Sequence, residues 1–332
     1  MFDSTKCDLC GECLAKCQYL NFDYQKGAQE FNKLLQKEET EWLNSCITCF
    51  ACNEYCPNGA KPFDLICQRI EERGGYVQAE ALEKVRKQFI PQGDFKAAQA
   101  TGPAISLCTV HSVVPRAFQG SLFEGVTFLK GRHYFCNVLF MHLGNMSLLR
   151  HRAETLINNY AQTGAKEVIF VHDDCYTFMT MVRDWGISLP FRPVHIFEYL
   201  LNYLKKHKKN LRRLNMRVAY QRPCASRYTP EKEWMLDEIF SLIGVERAER
   251  QYDRINALCC GQDLNGLMGA RKGMDKFQEM NVLDALKNGA RGMVFLCPMC
   301  LDALQAKCKE KKLTPYFITD FCGMALGESI FV

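Results

Sequence analysis

The chain has 332 residues, a formal net charge of +5 and a hydrophobic fraction of 48%, enough apolar material for two or three packed domains. No apolar run approaches the roughly 18 residues that a membrane span needs, and Met1-Phe2-Asp3-Ser4-Thr5-Lys6 lacks the basic and apolar regions of a secretion signal, so a cytoplasmic protein without a membrane span is expected. Nineteen cysteines in such a chain argue for metal rather than disulfides, because cytosolic thiols stay reduced.

The first element is a pair of matching runs, Cys7-x2-Cys10-x2-Cys13-x3-Cys17 and Cys46-x2-Cys49-x2-Cys52-x3-Cys56-Pro57. Soft thiolates are the ligands iron prefers, and two-residue gaps let a short loop wrap three corners of a cuboidal cluster. In two-cluster ferredoxins of this spacing the last Cys of each run ligates the other cluster. Two 4Fe-4S clusters are therefore expected, one on Cys7, Cys10, Cys13 and Cys56, the other on Cys46, Cys49, Cys52 and Cys17. Gln18 stands where a Pro commonly follows the fourth Cys, which leaves the turn less rigid without losing a ligand.

Between the runs, Tyr24 to Asn44 carries Phe31, Leu34, Leu35, Trp42 and Leu43 at roughly helical spacing, so a helix is predicted there. Residues 1–75 form a helical two-cluster ferredoxin-like domain on this reading. In the linker, 76–100, Ala79, Leu82, Val85 and Phe89 lie on one face of a helix predicted over Gln78 to Ile90, stopped by Pro91 and Gly93.

From about residue 101 the chain repeats itself. Residues 164–175, ending in Val168-Ile169-Phe170-Val171-His172-Asp173-Asp174-Cys175, lie over residues 289–300, ending in Met293-Val294-Phe295-Leu296-Cys297-Pro298-Met299-Cys300. Leu107-Cys108 likewise matches Pro223-Cys224, Phe135-Cys136-Asn137 matches Cys259-Cys260-Gly261, and the segment at Pro193 matches that at Pro315. Short apolar runs alternate with amphipathic stretches such as Leu149 to Gln162 and Met274 to Lys287, which predicts two α/β domains with small parallel sheets, at 101–205 and 206–332. Cys175, Cys297 and Cys300 fall just past the predicted strands, where open parallel sheets bind ligands.

The second copy holds five cysteines: Cys224, the pair Cys259-Cys260 before Gly261, then Cys297 and Cys300. Adjacent side chains in an extended segment point to opposite sides, so a strained turn or an unusually shaped cluster is needed for both of the pair to bind one centre, and Gly261 would relax such a turn. These five cysteines, the Gly and both gaps resemble the cysteine-rich CCG domain of the heterodisulfide reductase family. Joined to two ferredoxin runs, they resemble that family's fused catalytic subunit over nearly the whole chain. The resemblance implies a noncubane-type 4Fe-4S cluster on Cys224, Cys259, Cys260, Cys297 and Cys300, with Cys259 and Cys260 at the catalytic centre. A conventional cluster with a spare Cys, and five buried structural thiols, are the competing readings.

The first copy keeps Cys108, Cys136 and Cys175, but Phe135, Asn137 and His172 replace the first Cys of the pair, the Gly and the first Cys of the closing motif. Cys108, Cys136, His172 and Cys175 could hold zinc or an altered cluster; the alternative is a vestigial site with buried thiols and a surface His172, and His111 and His133 compete for the imidazole role. In the family's disulfide-cleaving members two noncubane clusters face each other, and with one complete motif here the second repeat either handles one thiolate or acts as a terminal relay.

Other signals are weaker. Gly261-x4-Gly266 has P-loop glycine spacing, but Leu267-Met268 occupies the Lys-Ser/Thr position. No dinucleotide fingerprint follows a predicted strand, so any flavin belongs to a partner subunit. The basic run at Lys205 to Lys209, with Arg212, Arg213 and Arg217, reads as the solvated side of a helix whose other face is Leu200, Leu201, Leu204, Leu211 and Leu214, or as a dock for an acidic partner; nucleic acid is not expected. Arg222, Arg227 and Arg132 lie near proposed ligands and could neutralise an anionic substrate or cluster. Cys67, Cys308 and Cys322 read as ordinary thiols.

The function expected is that of an iron-sulfur oxidoreductase subunit resembling heterodisulfide reductase, acting on a small disulfide or thiol substrate within a larger flavin-containing complex. The same architecture occurs in iron-sulfur subunits of flavin-dependent glycolate and glycerol-3-phosphate dehydrogenases, which gives the alternative: a carrier with no substrate site of its own.

Overall fold

The structure, a computed structural model, describes residues 1–262 and 273–329; Gly266, Leu267 and Met268 lie outside them. The N-terminal part contains α1 (Glu12–Ala15), α2 (Tyr24–Leu35), α3 (Ala51–Tyr55) and α4 (Pro62–Glu72). The Asp23 carboxylate caps α2 by accepting from the Lys26 N–H at 2.7 Å. The helix stops well short of Asn44 because Lys37 turns left-handed, with φ 61°; a 3-10 turn at Glu41–Ser45 follows. Phe31, Leu34, Trp42, Leu43 and Ile66 form the core of this region. Gly11 is required where α1 meets α2, since a Cβ there would lie 2.1 Å from the Tyr24 carbonyl oxygen.

The linker helix α5 spans Ala79–Phe89, and Phe89 stacks on Phe135 with ring centroids 5.0 Å apart. Two four-stranded parallel sheets follow. The first is built from β1 (Ala104–Cys108), β2 (Thr127–Lys130), β3 (Glu167–Phe170) and β4 (Arg192–His195), in the order β2-β1-β3-β4. The second uses β5 (Met216–Gln221), β6 (Val245–Arg247), β7 (Gly292–Phe295) and β8 (Thr314–Phe317), in the order β6-β5-β7-β8. The internal repeat is thus a repeat of topology, and the central strands β3 and β7 keep the sequence offset of 125 at their first residues, Glu167 and Gly292.

Helices α6 (Val138–His142), α7 (Met146–His151), α8 (Ala153–Ala161), α9 (Asp173–Asp184) and α10 (Ile196–Lys206) serve the first sheet. Helices α11 (Glu233–Ile243), α12 (Asp275–Lys287), α13 (Pro298–Glu310) and α14 (Ile318–Ala325) serve the second. One apolar core runs through both, from Ile105 and Ile169 across α10 to Val218 and Phe295. Within α10, Leu200, Leu201 and Leu204 are buried, but the helix ends at Lys206, so Leu211 and Leu214 fall beyond the face assigned to them.

A buried polar cluster also pins the repeats together. Asp173, at the start of α9, pairs with His195 Nε2 at 3.0 Å and with Lys232 at 3.2 Å, and accepts from the Ser226 hydroxyl. Such a charge is tolerable in the interior only because it is paired and hydrogen-bonded. Glu54 of α3 joins the N-terminal part to the second repeat through a two-pronged bridge to Arg222, at 2.7 and 2.9 Å. Among the described residues no helix is long and apolar enough to cross a membrane.

Candidate functional site

The ferredoxin loops Cys7 to Gly11 and Cys46 to Phe50 share one backbone pattern. Leu9 and Thr48, each just before a cysteine, have φ 58° and 55°; Gly11 and Phe50, each just after one, have φ 79° and 63°. Left-handed backbone at Leu, Thr and Phe is costly, and its recurrence at matched positions wraps three thiols around a point in both loops. Cys7, Cys10, Cys13 and Cys56 line one cavity, and Cys17, Cys46, Cys49 and Cys52, with Cys13, line a second. Four thiols around each space fit a 4Fe-4S cluster in donor type and number. Cys10 is exposed, whereas Cys49 is buried, so the sets are called outer and inner below. Burial pushes the Cys49 thiol up to about 12 even though the Arg227 charge pulls it down.

The inner set abuts the second repeat. Gln18 donates to the Asn256 carbonyl at 2.6 Å and to the Tyr55 hydroxyl at 3.2 Å. The Tyr19 hydroxyl accepts from the Cys259 backbone N–H at 2.8 Å. Cys259 shares a small core with Ile47, Cys49, Ala51 and Tyr55. The turn after Cys17 is therefore a docking tip, and Gln18 and Tyr19 are site residues that spacing did not disclose.

At the carboxyl ends of β1, β3, β5 and β7 a single cavity of about 340 Å³ joins the two repeats. It lies at the strand-order reversal of each sheet, where parallel sheets bind ligands. Its sulfur end includes Cys108 and Cys136 of the first repeat and Cys224, Cys260, Cys297 and Cys300 of the second. Phe89, Val110, Phe135, Leu139 and Met299 make much of the wall, and exposed Gln88, Ser112 and Val113 lie at its rim.

Within the second repeat, Cys260 hydrogen-bonds both Cys259 and Cys300, and its thiol is raised by the bond to Cys259. The Cys297 thiol is pulled down to about 6, by Cys300 first and then by the His172 charge against burial. Gly261 takes φ 72°, and a Cβ there would lie 2.7 Å from Met274 Cβ, so the turn after the cysteine pair demands glycine.

In the first repeat, the sulfurs of Cys108, Cys136 and Cys175 all lie within 4.8 Å of one another and are buried. Burial opposes ionisation of Cys108, but bonds from Cys136 and Cys175 and the His172 charge hold its thiol well below the ordinary range. His172 stands outside this trio. Its Nδ1 is 4.0 Å from Cys175 Sγ, and its Nε2 reaches across the repeat boundary to Cys297 Sγ at 3.4 Å. His172 and Cys297 occupy equivalent positions, 125 residues apart, so the pseudo-symmetric sites face each other there. The expectation of a surface His172 is corrected: it is 5% exposed, held between two thiol sets with Asp174 Oδ2 at 3.6 Å.

His133 instead stacks on Phe95 at 4.3 Å, and His111 does not line the cavity. Nor do the three arginines. Arg132 bonds the Gln88 carbonyl at 3.3 Å, while Arg222 and Arg227 are buried against Glu54 on the ferredoxin side. Cys67, Cys308 and Cys322 are buried and line none of the three sulfur-bearing cavities. His142, which the sequence did not single out, lines the cavity between the repeats while its Nδ1 meets the Thr48 hydroxyl at 2.9 Å.

Residues 1–57 match the family described as a 4Fe-4S dicluster domain. Over 90% of its length the chain is 24% identical to a subunit of the dihydromethanophenazine:CoB-CoM heterodisulfide reductase of Methanosarcina acetivorans, covering 88% of that protein. The chain is thus similar over most of its length to a heterodisulfide reductase subunit. The same subunit from Methanosarcina mazei is 28% identical over 46% of this chain, which spans 37% of that protein. Among solved structures, a hypothetical protein from Helicobacter pylori matches 84% of the chain with a TM-score of 0.56 and 10% identity, this chain spanning 61% of it; that likeness is one of fold alone.

Proposed function

We propose that this iron-sulfur subunit is the disulfide-cleaving member of a cytoplasmic complex. In this reading 4Fe-4S clusters sit on Cys7, Cys10, Cys13 and Cys56 and on Cys17, Cys46, Cys49 and Cys52. A noncubane-type 4Fe-4S centre is held by Cys224, Cys259, Cys260, Cys297 and Cys300. When bound, that centre supplies electrons singly at a metal that accepts sulfur ligands. The exposed edge at Cys10 receives electrons from a flavin-containing partner subunit. Overall, one S–S bond breaks, two electrons and two protons are taken up, and two thiols leave.

The observation that carries the reading is the shared cavity. It runs from exposed Gln88 and Ser112 to Cys260 and Cys297, while Tyr19 holds the inner thiol set against Cys259. A carrier of the kind found beside flavin-dependent 2-hydroxy acid or glycerol-3-phosphate dehydrogenases needs no opening at its last centre. The Gln18 and Tyr19 contacts fix the donor set against the acceptor set.

In the first repeat the cysteine trio is proposed to hold a zinc ion or an altered cluster. A strained position, Cys108 at φ 52°, supports a retained site, since such backbone persists where surroundings enforce it. Thiolates at this separation suit a small tetrahedral ion.

The test is anaerobic purification with iron, zinc and acid-labile sulfide analysis, followed by oxidation of reduced methyl viologen by glutathione disulfide and by bis(2-hydroxyethyl) disulfide. About twelve irons per chain are expected for three four-iron centres, with viologen oxidation that requires a disulfide. About eight irons, or no disulfide-dependent oxidation by either compound, would overturn the reading.

A further inference from the structure

The second ferredoxin loop carries, at its two left-handed positions, side chains that wrapping a cluster does not call for. Where the first loop has Leu9 and Gly11, the second has Thr48 and Phe50. Both meet one buried residue of the first repeat, His142, which closes α6. The Thr48 hydroxyl donates to the Ile47 carbonyl at 2.7 Å, and its oxygen lies 2.9 Å from His142 Nδ1. The Phe50 ring stands edge-on to the imidazole, with centroids 5.4 Å apart. A hydroxyl has one hydrogen, and here Ile47 takes it, so the proton of the contact with Thr48 belongs to Nδ1. Nε2 is therefore the nitrogen at which His142 gains and loses a proton.

His142 also lines the cavity between the repeats. Cleaving a disulfide there leaves a thiolate, and an alkyl thiolate, of basicity near that of cysteine at about 8.5, departs poorly unless a proton meets it. Among the described residues two imidazoles line the cavity, His142 and His172. His172 Nε2 is engaged by Cys297 Sγ at 3.4 Å and by Asp174 Oδ2 at 3.6 Å, whereas the anchor of His142 is on Nδ1, toward the ferredoxin loop. The other titratable groups of the described lining are Asp174 and thiols already assigned to the two cysteine sets.

We propose that His142 is the general acid of disulfide cleavage. As two electrons break the S–S bond, Nε2–H passes its proton to the departing sulfur, and one thiol leaves. The imidazole regains its proton from water entering past Gln88 and Ser112, and the other thiol takes up the second proton on release. The electrons are those that the flavin-containing partner delivers. This rests on the disulfide-cleaving reading above and adds the group that protonates its product. Because Thr48 lies between Cys46 and Cys49, proton donor and inner thiol set are fixed to one loop.

The test compares disulfides that differ in how far the leaving group needs a proton. Bis(2-hydroxyethyl) disulfide releases an alkyl thiolate, whereas dipyridyl disulfide releases an anion stabilised by its ring. Oxidation of reduced viologen by each is measured on the full chain, with the enzyme-free rate subtracted. In H142N, whose amide can still donate to Thr48, the alkyl disulfide is reduced about 10²-fold more slowly, while the dipyridyl disulfide keeps its rate. Iron, sulfide and the electron paramagnetic resonance signals stay those of the unaltered protein. A merely structural role for His142 slows both disulfides alike; that result, or neither being slowed, overturns the inference. Should H142N lose its iron, the unaltered protein decides. Proton transfer during cleavage slows turnover in heavy water more for the alkyl disulfide than for the dipyridyl one, and equal solvent isotope effects sink the idea. Failure of the underlying reading looks different: the unaltered protein then oxidises viologen with neither disulfide.

Discussion

The two cysteine-rich repeats share a sheet order, but one presents five thiols and the other three. The comparison separates what backbone preserves from what ligand chemistry requires. Asn137 and Gly261 occupy equivalent places and both take left-handed φ, 64° and 72°. Asn is among the few non-glycine residues that enter this region readily, and its Nδ2 donates back to the Phe135 carbonyl at 2.8 Å. The first repeat has therefore kept the turn while losing the first cysteine of the pair. Where the second repeat places Cys297 the first places His172, and the two touch across the boundary. The altered copy thereby furnishes one wall of the intact copy's cavity.

The largest effect that could break this comparison comes from the thiols. Replacing Cys260 by Ala should remove the C-terminal centre, lowering iron from about twelve to about eight per chain and abolishing disulfide-dependent viologen oxidation. Replacing Cys136, its counterpart, should remove the metal of the trio and leave the C-terminal centre, and with it disulfide-dependent viologen oxidation, in place. Metal analysis of the two purified variants side by side decides the matter. Equal iron loss in both would mean that the repeats bind the same kind of centre.

Much of this architecture was legible because it is periodic. The eight ferredoxin cysteines at fixed gaps, the offset of 125 and the alternation of apolar runs with amphipathic stretches all reflect constraints written along the chain. What escaped was written across it. Gln18 was visible as a departure from the Pro pattern, yet its partner, Asn256, is 238 residues away. Glu54 sits between two proposed ligands and looks like an ordinary helix-surface acid until Arg222 and Arg227 arrive from another repeat. His172 could be read as a replaced ligand, but its burial depends on how the two repeats meet, which no local spacing encodes.

A middle-sized effect sharpens the turn comparison. G261A must place a Cβ against Met274 in a backbone region that L-residues avoid, so strain and overpacking add, for a destabilisation of about 2–4 kcal/mol. N137A meets the same backbone cost from a residue already bearing a Cβ, and loses the bond to the Phe135 carbonyl, for about 1–2 kcal/mol. Thermal unfolding under anaerobic conditions should therefore rank G261A below N137A, with N137G closest to the unaltered protein. The reverse ranking would show that the two turns are not equivalent.

The smallest effect concerns the docking tip. Q18P installs the residue that the ferredoxin pattern leads one to expect, at a position whose N–H makes no backbone hydrogen bond among the described residues. The cost is confined to two hydrogen bonds, to Asn256 and Tyr55, each worth about 0.5–1.5 kcal/mol. Cluster content should stay intact, because no thiol moves. Amide hydrogen exchange should quicken around residues 254–257, where the bonded carbonyl and the two carbonyls that bind Arg227 lie. If exchange there is unchanged while the clusters are lost, Gln18 shapes the ferredoxin loop itself, and the contact with the second repeat is incidental. If exchange rises with the clusters retained, the departure from proline is what couples the electron-carrying region to the cysteine-rich one.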